Sequence, residues 1–499
     1  MEKFFWADAI ADKLIKEKKG KKILVCASGI TPSGVVHIGN FREVITTELV
    51  VRALKDRKKK VRFLYSWDDY DRLRKVPQNL PESEKEKYYN YIGMPLSEIP
   101  SPFEKNKSYA WHFEKEFENE CKKVFVKPEF IRQNHMYKKC KYAQLIKKAI
   151  DEKKEIVKIL NKYRKEPLEK NWMPIEVYCE KCKKDTTKIL NVKNYEIEYS
   201  CSCMNRGKFD FRKKGIVKLK WRIDWPMRWS YEKVDFEPGG NDHSVYGGSF
   251  MTAKEIVKIF DYEAPMYVMY DFVSIKGTRG KISSSAGNTL TVSGVEKVYE
   301  PEIIRWLFVG TRPNKGFEIS FDNDVIKLYE DFDELERKYY EKEANQQEKR
   351  IYELSVVNVK KKKPERMSFR HLITLIQTGK TRNLNEESKK RTEKVKNWLE
   401  NYASDDFKFE IKDKIEFELD DKQKQALKIL KESLSVKKFT EAELFQEFQN
   451  ICNAVGINKQ EFFEGAYSAI IGKSQGPRLS SLILTIGKEK IIKLLEQIK

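Results

Sequence analysis

The stretch that most restricts the fold is an apolar run, Ile23-Leu24-Val25-Cys26, that passes into the glycine-rich segment Ala27-Ser28-Gly29-Ile30-Thr31-Pro32-Ser33-Gly34-Val35-Val36-His37-Ile38-Gly39-Asn40 and then into a helical pattern reaching about Asp56. Strand, glycine loop and helix in this order let backbone N–H groups and a helix N-terminus close around a phosphate. His37 and Asn40 add side-chain donors one turn apart on the same face. A second strand is expected at Val61-Arg62-Phe63-Leu64-Tyr65-Ser66-Trp67. The succession predicts a right-handed parallel crossover, with ligands at the carboxyl ends of the strands. Asp68, Asp69 and Asp71 fall at that end.

A chain of 499 residues exceeds what one core organises, so two or three domains are expected. A net charge of +22 favours a polyanionic partner, since lysines near phosphates release counterions. A solvated lysine run suits Lys360-Lys361-Lys362-Lys363-Pro364 as well as an RNA contact does. No apolar run has transmembrane length and the first residues lack the pattern of a signal peptide, so no membrane is expected and the cytoplasm is the default.

From about Pro95 to Lys214 the pattern changes to a proline-containing loop, helical stretches near 107–123 and 137–164, and a cysteine-bearing segment, read as an insertion. Alternation at Ile216-Val217-Lys218-Leu219-Lys220-Trp221-Arg222-Ile223 and the run Met266 to Val273 predict strands where the nucleotide fold resumes. Past about residue 320, helical periodicity in 322–345, 420–435, 440–455 and 486–498 predicts an all-helical remainder. The domain reading is 1–320, interrupted by 95–214, followed by 321–499. The fold class is α/β and Rossmann-like, with a helical C-terminal region.

Cys179-x2-Cys182, eighteen residues, then Cys201-x-Cys203 suit a structural tetrahedral zinc site that orders an insertion with little core. The one-residue gap in the second pair departs from the usual two. Cys26, Cys121, Cys140 and Cys452 read as ordinary packed residues.

A second informative loop, Lys276-Gly277-Thr278-Arg279-Gly280-Lys281-Ile282-Ser283-Ser284-Ser285, follows a late strand. A cationic loop opposite a glycine loop can close over a triphosphate and stabilise the charge on departing pyrophosphate. Together, His37-Ile38-Gly39-Asn40 and Lys281-Ile282-Ser283-Ser284-Ser285 resemble the two signature motifs of class I aminoacyl-tRNA synthetases. Ser66-Trp67-Asp68-Asp69-Tyr70-Asp71-Arg72-Leu73-Arg74-Lys75-Val76-Pro77, Glu237-Pro238-Gly239-Gly240-Asn241-Asp242-His243 and Gly476-Pro477-Arg478-Leu479 resemble the class I lysyl-tRNA synthetases of archaea and some bacteria.

That resemblance implies adenylation of L-lysine by ATP with Mg2+, then transfer to the terminal adenosine of lysine tRNA, initially to its 2′-hydroxyl. It implies His37, Asn40, Lys281, Ser283 and Ser284 as catalytic. ATP would be held by His37, Gly39, Asn40, Gly240, Asp242 and Lys281. Lysine would be held by Gly29, Thr31, Asp68, Asp69, Trp221, His243 and Tyr270, and zinc by Cys179, Cys182, Cys201 and Cys203. Asn40 replaces a second histidine of many class members yet still donates; Ser284 replaces a second lysine, a loss that Lys276 or Arg279 can offset.

By residue type alone, Trp221 and Tyr270 suit core strands, Asp68 and Asp69 suit a helix cap, and His243 suits a structural histidine. The C-terminal aromatics Phe445, Phe448, Phe462, Phe463 and Tyr467 suit core packing better than stacking with anticodon bases. A glutamyl enzyme is the nearest alternative, and its cationic pocket would conflict with the Asp68-Asp69 pair. A synthetase-derived RNA-binding protein without chemistry is the other.

Overall fold

The computed structural model of the chain describes residues 5–78, 80–277 and 290–498. Two compact units emerge: one formed by Met1–Val295, Ile304–Ile319 and Asn345–Asn358, the other by Glu296–Ile303, Ser320–Ala344 and Val359–Lys499. No helix among the described residues is long and apolar enough to cross a membrane.

The first unit is organised by five strands: β1 (Ile23–Ile30), β2 (Lys60–Trp67), β3 (Glu129–Arg132), β4 (Phe236–Gly240) and β5 (Met266–Tyr270). They form one parallel sheet in the order β5-β4-β1-β2-β3. Leu24, Val25, Cys26 and Ala27 of β1 are all buried, as the central strand of a sheet covered on both faces requires. Helix α1 (Trp6–Glu17) precedes β1, and α2 (Ile38–Asp56) joins it to β2. The chain builds outward from β1 through β2 to β3, then returns to the other side of β1 for β4 and β5. This reversal opens a crevice at the carboxyl ends of β1 and β4. Asp235 pins the opposite end, accepting from Lys21 Nζ at 2.7 Å and from the Val25 N–H at 2.8 Å.

The sheet takes β3 from within residues 95–214, so the expected insertion is not one continuous excursion. Beyond β3, helices Gln133–Lys138, Ala143–Asp151 and Lys153–Asn161 lead to an antiparallel three-stranded sheet of Thr187–Lys193, Glu196–Cys201 and Arg206–Asp210. The strand expected at 216–223 is only three residues long: Val217–Leu219 pairs with Ile175–Val177, and helix α3 (Trp221–Glu232) begins immediately after.

The second unit is helical over its described residues, matching the sequence reading. Helix starts carry side-chain caps from Asn385, Asp420, Thr440 and Asn458, each satisfying an N–H that the first turn leaves unbonded. The helix expected over 486–498 arrives as Leu479–Ile486 and Lys488–Leu495, divided at Gly487, whose φ of +97° an L side chain rarely adopts. Phe448, Phe462 and Tyr467 are buried among these helices, whereas Phe445 is 52% exposed. Arg391 is fully buried and donates to Glu300 at 2.9 Å and Asp333 at 2.7 Å.

Candidate active site

A cleft of about 430 Å³ occupies the crevice between β1 and β4. From the end of β1 and the start of α2 come Gly29, Thr31, His37, Gly39 and Asn40. Asp68 enters from the end of β2, Trp221 from the first turn of α3, Gly240, Asp242 and His243 from the segment after β4, and Tyr270 from β5. Sequence positions more than 200 apart therefore share one wall. Lys281, Ser283 and Ser284 lie outside the described residues.

Gly29 lies so close to β2 that a Cβ there would stand 2.7 Å from the Ser66 carbonyl oxygen. A Cβ on Gly240 would stand 2.6 Å from Asp242 Oδ1, so only glycine lets that carboxylate fold back over the strand end. His37 is the N-cap residue of α2, and its backbone N–H donates to Asn40 Oδ1 at 3.3 Å. That bond fixes the Asn40 amide with its nitrogen left to donate.

Two sequence expectations need correction. Trp221 lies on a helix rather than a strand; it stacks on Trp225 at 5.4 Å, and both rings flank His243. Asp69 does not line the cleft: it is buried and accepts the Asn134 N–H at 2.7 Å, with its carboxyl held well above the usual range by burial and by Glu114. Asp68 does line it, but Arg228 already engages it, with Nη2 3.2 Å from Oδ2. Burial raises Asp68 and the guanidinium opposes that rise.

Residues to which the sequence reading assigned no role set the electrostatics. Glu43, half-buried on α2, lines the cleft and accepts the Gly29 N–H at 2.8 Å and the Tyr270 hydroxyl at 2.7 Å. No cation among the described residues pairs with it. Burial pushes its carboxyl up to about 8 despite those two donors. Asp71 also lines the cleft and accepts from Thr31 Oγ1 at 3.1 Å; burial would raise it, but Lys218 at 2.8 Å holds it below the usual range. Arg228 and Asp224 complete a buried cluster with Lys218. Behind the tryptophans, Glu237 accepts from the Trp225 indole at 3.0 Å and the Trp229 indole at 2.6 Å, and burial pushes it up to about 7. The spacing of Asn40 and Glu43, three apart on one helix face, is the signal that would have found Glu43.

At one end of the small antiparallel sheet, Cys179, Cys182, Cys201 and Cys203 bring all four sulfurs within 4.8 Å of one another. The Cys179–Cys203 and Cys182–Cys201 separations are 3.7 and 3.6 Å. Four thiolates about 2.3 Å from a tetrahedral zinc would stand about 3.8 Å apart. Lys183 and Met204, each one residue past a cysteine, take positive φ of 65° and 68°, turning the chain tightly at both pairs. The one-residue gap in the second pair therefore does not prevent convergence.

A family model described as class I (K) tRNA synthetases matches residues 4–358, and one described as an anticodon binding domain matches 376–499. The lysine–tRNA ligase of Borreliella burgdorferi is 45% identical over 520 residues, covering 99% of both chains. Those of Treponema pallidum and Pyrococcus horikoshii are each 40% identical, covering 98% of this chain and 98% and 99% of their own.

Proposed function

The chain belongs to the class I (K) family of tRNA synthetases, and from that premise we propose that it activates L-lysine with ATP and transfers it to lysine tRNA. In the first step a lysine carboxylate oxygen attacks the α-phosphorus, the new P–O bond forms and pyrophosphate leaves. In the second a ribose hydroxyl of the terminal adenosine attacks the adenylate carbonyl and AMP leaves. Both steps depend on positioning and charge stabilisation more than on proton transfer.

The observation that carries the lysine assignment is charge matching in the cleft. Among the described residues, Asp68, Asp71 and Asp224 form ion pairs with only Lys218 and Arg228, and Glu43 and Asp242 in the cleft have no ion pair; Glu43, kept protonated by burial until about pH 8, would ionise against an arriving ammonium. Lysine brings two ammonium groups, and a buried ammonium needs a carboxylate. Trp221, Tyr270 and His243 would cover its apolar stem, with Gly29 and Thr31 beside its backbone. A glutamate side chain would add negative charge to a wall whose acids already outnumber their cationic partners.

On the ATP side, His37, Gly39, Asn40 and Lys281 would meet the phosphates, with Ser283 and Ser284 in the same loop, and Gly240 and Asp242 would meet the adenosine. Mg2+ would arrive with the phosphates and neutralise part of their charge. The four cysteines would hold a structural Zn2+. Residues 1–320 would form the catalytic domain, with the part of 95–214 beyond β3 facing the acceptor end and 321–499 reading the anticodon, all in the cytoplasm.

Lysine-dependent ATP–pyrophosphate exchange tests the proposal. Absence of exchange with every amino acid, alongside retained tRNA binding, overturns the enzymatic reading; exchange driven by glutamate overturns the specificity. Lys281→Ala is expected to slow exchange by about 10²–10³ while lysine affinity stays unchanged, because its charge acts on departing phosphate. For the metal, about one zinc per chain is expected from elemental analysis. Cys201→Ser should lower both zinc content and the thermal transition, since binding energy at such sites is folding energy. Full stability at zero zinc would refute the site.

A further inference from the structure

The segment 68–74 forms one wall of the cleft through Asp68, Asp71 and Arg74, and Asp71 accepts from Thr31 Oγ1 at 3.1 Å. The turn that carries the first cysteine pair is fastened to this segment at the two residues that flank Asp71. Tyr178, immediately before Cys179, donates its hydroxyl to the Tyr70 carbonyl at 2.8 Å, and the two rings meet edge to face at 5.1 Å. Arg72 pairs with Asp185, just past Cys182, whose carboxylate is 6% exposed. The Asp185 N–H also donates to the Gly93 carbonyl, and the Gly93 N–H to the Leu73 carbonyl, both at 2.9 Å. A Cβ on Gly93 would stand 2.8 Å from Asp185 Oδ1, and φ there is +91°, so only glycine lets the chain pass this close to the turn. Lys218, the cation on Asp71, pairs through its backbone with Glu176, on the strand that leads into Cys179.

The cysteine turn has reason to change shape with its metal. Lys183 and Met204 hold positive φ, which an L residue keeps only where its surroundings over-determine it. Four thiolates gathered within 4.8 Å repel one another unless a cation sits among them. The Cys179 N–H donates to the Lys184 carbonyl at 2.9 Å and the Lys183 N–H to the Cys179 carbonyl at 2.8 Å, so 179–184 moves as one closed unit. Tyr178 and Asp185 are the residues that bracket it. A relaxed turn loosens both, and with them Tyr70 and Arg72.

We propose that metal occupancy of the cysteine turn and lysine occupancy of the cleft are thermodynamically linked, each tightening the other, with Tyr178, Arg72 and Asp185 as the positioning residues that carry the link. The inference rests on the zinc and lysine readings above. A turn that served only its own small sheet would need no bonds to the neighbours of a cleft acid. Such coupling is reciprocal, so it can be read from the metal end without catalysis.

Zinc release from the loaded chain into a chromogenic chelator is followed without amino acid, with saturating lysine and with glutamate. Lysine is expected to slow release about tenfold, and glutamate to leave it unchanged. Two variants alter neither a cysteine nor a residue that lines the cleft: Arg72→Met/Asp185→Asn, which removes both charges so that no buried acid is left unpaired, and Tyr178→Phe. Each should still hold about one zinc and lose most of the slowing at saturating lysine. In exchange, each should show a lysine KM raised about fivefold to tenfold with kcat within about twofold. If lysine slows release only by stabilising the whole fold, the slowing survives in both variants, because both still bind lysine. That result overturns the proposal, as does a wild type whose zinc release ignores lysine. A wild type without zinc, or without lysine-dependent exchange, would strike the reading of that site and this inference with it.

Discussion

Glu43→Gln is expected to raise the KM for lysine by about 10²–10³ with little loss of folded protein, measured by exchange at varied lysine. Among the described residues no cation pairs with this carboxylate; its oxygens are held by the Gly29 N–H and the Tyr270 hydroxyl. Glutamine keeps one acceptor and the same shape, and the Tyr270 hydroxyl can turn to accept from the new amide. The fold therefore loses little while the substrate ammonium loses its counter-charge. An unchanged lysine KM would show that Glu43 is not the anchor.

The raised position of this carboxyl, about 8 against 4.5 for a free glutamate, gives the prediction a pH signature. Below about pH 8 the substrate-free site holds a proton that a bound ammonium must displace, so lysine affinity is expected to rise between pH 6 and 8, by up to about tenfold per unit. Glu43→Gln should flatten that rise. Between pH 4.5 and 8 the folded state binds more protons at this site than the unfolded state. Its contribution to stability therefore declines as pH increases through that window. The variant should melt no lower than the wild type at pH 8 and gain relative to it there. Glu237, pushed up to about 7, adds a similar decline from 4.5 to 7 that the variant does not remove.

The contrast between Glu43 and its neighbours shows where sequence reading reaches. The glycine loop and the cysteine pairs were legible because their chemistry lies in contiguous residues: β1, the turn and α2 form one local unit, and the cysteines converge through two tight turns. Gly29, His37, Asn40, Gly240, Asp242 and His243 all line the cleft. Glu43 differs from a solvent-facing helical glutamate only through Tyr270, 227 residues away. The alternation predicts a strand at Trp221, and three of its residues do pair, but the helix that begins at Trp221 runs through Pro226, a residue that disfavours a helix interior. The rank of the acids was inverted for a related reason. Asp68 and Asp69 sit conspicuously at a strand end, but whether such an acid is free depends on partners that local pattern does not reveal. Arg228 is 160 positions from Asp68, and the Asn134 N–H meets Asp69 from beyond β3.

Arg228→Met is accordingly expected to be the most destabilising single change in the cleft, by about 3–5 kcal/mol, lowering the thermal transition by on the order of 10 °C. The guanidinium is 7% exposed, spans the Asp68 carboxylate, donates to Ser66 Oγ at 2.6 Å, and stands 3.5 Å from Asp224 and 5.5 Å from the Trp221 ring. Without it, three buried acids face Lys218 alone, and the cost of uncompensated charge exceeds the lost contacts. Asp68, already raised by burial, then has less reason to ionise, so the deficit relative to the wild type should shrink as pH falls toward 5. The double variant Asp68→Asn/Arg228→Met removes both charges. Its loss of stability should be well below the sum of the single losses, whereas additive losses would show that the pair is not coupled. The same variants separate the two carboxylates as lysine anchors. If Asp68 alone held the substrate, freeing it from Arg228 would tighten lysine binding in whatever protein remains folded. If Glu43 holds one ammonium and the Asp68 cluster the other, Arg228→Met disturbs the Trp221 wall and weakens lysine binding, and Glu43→Gln in that background weakens it further.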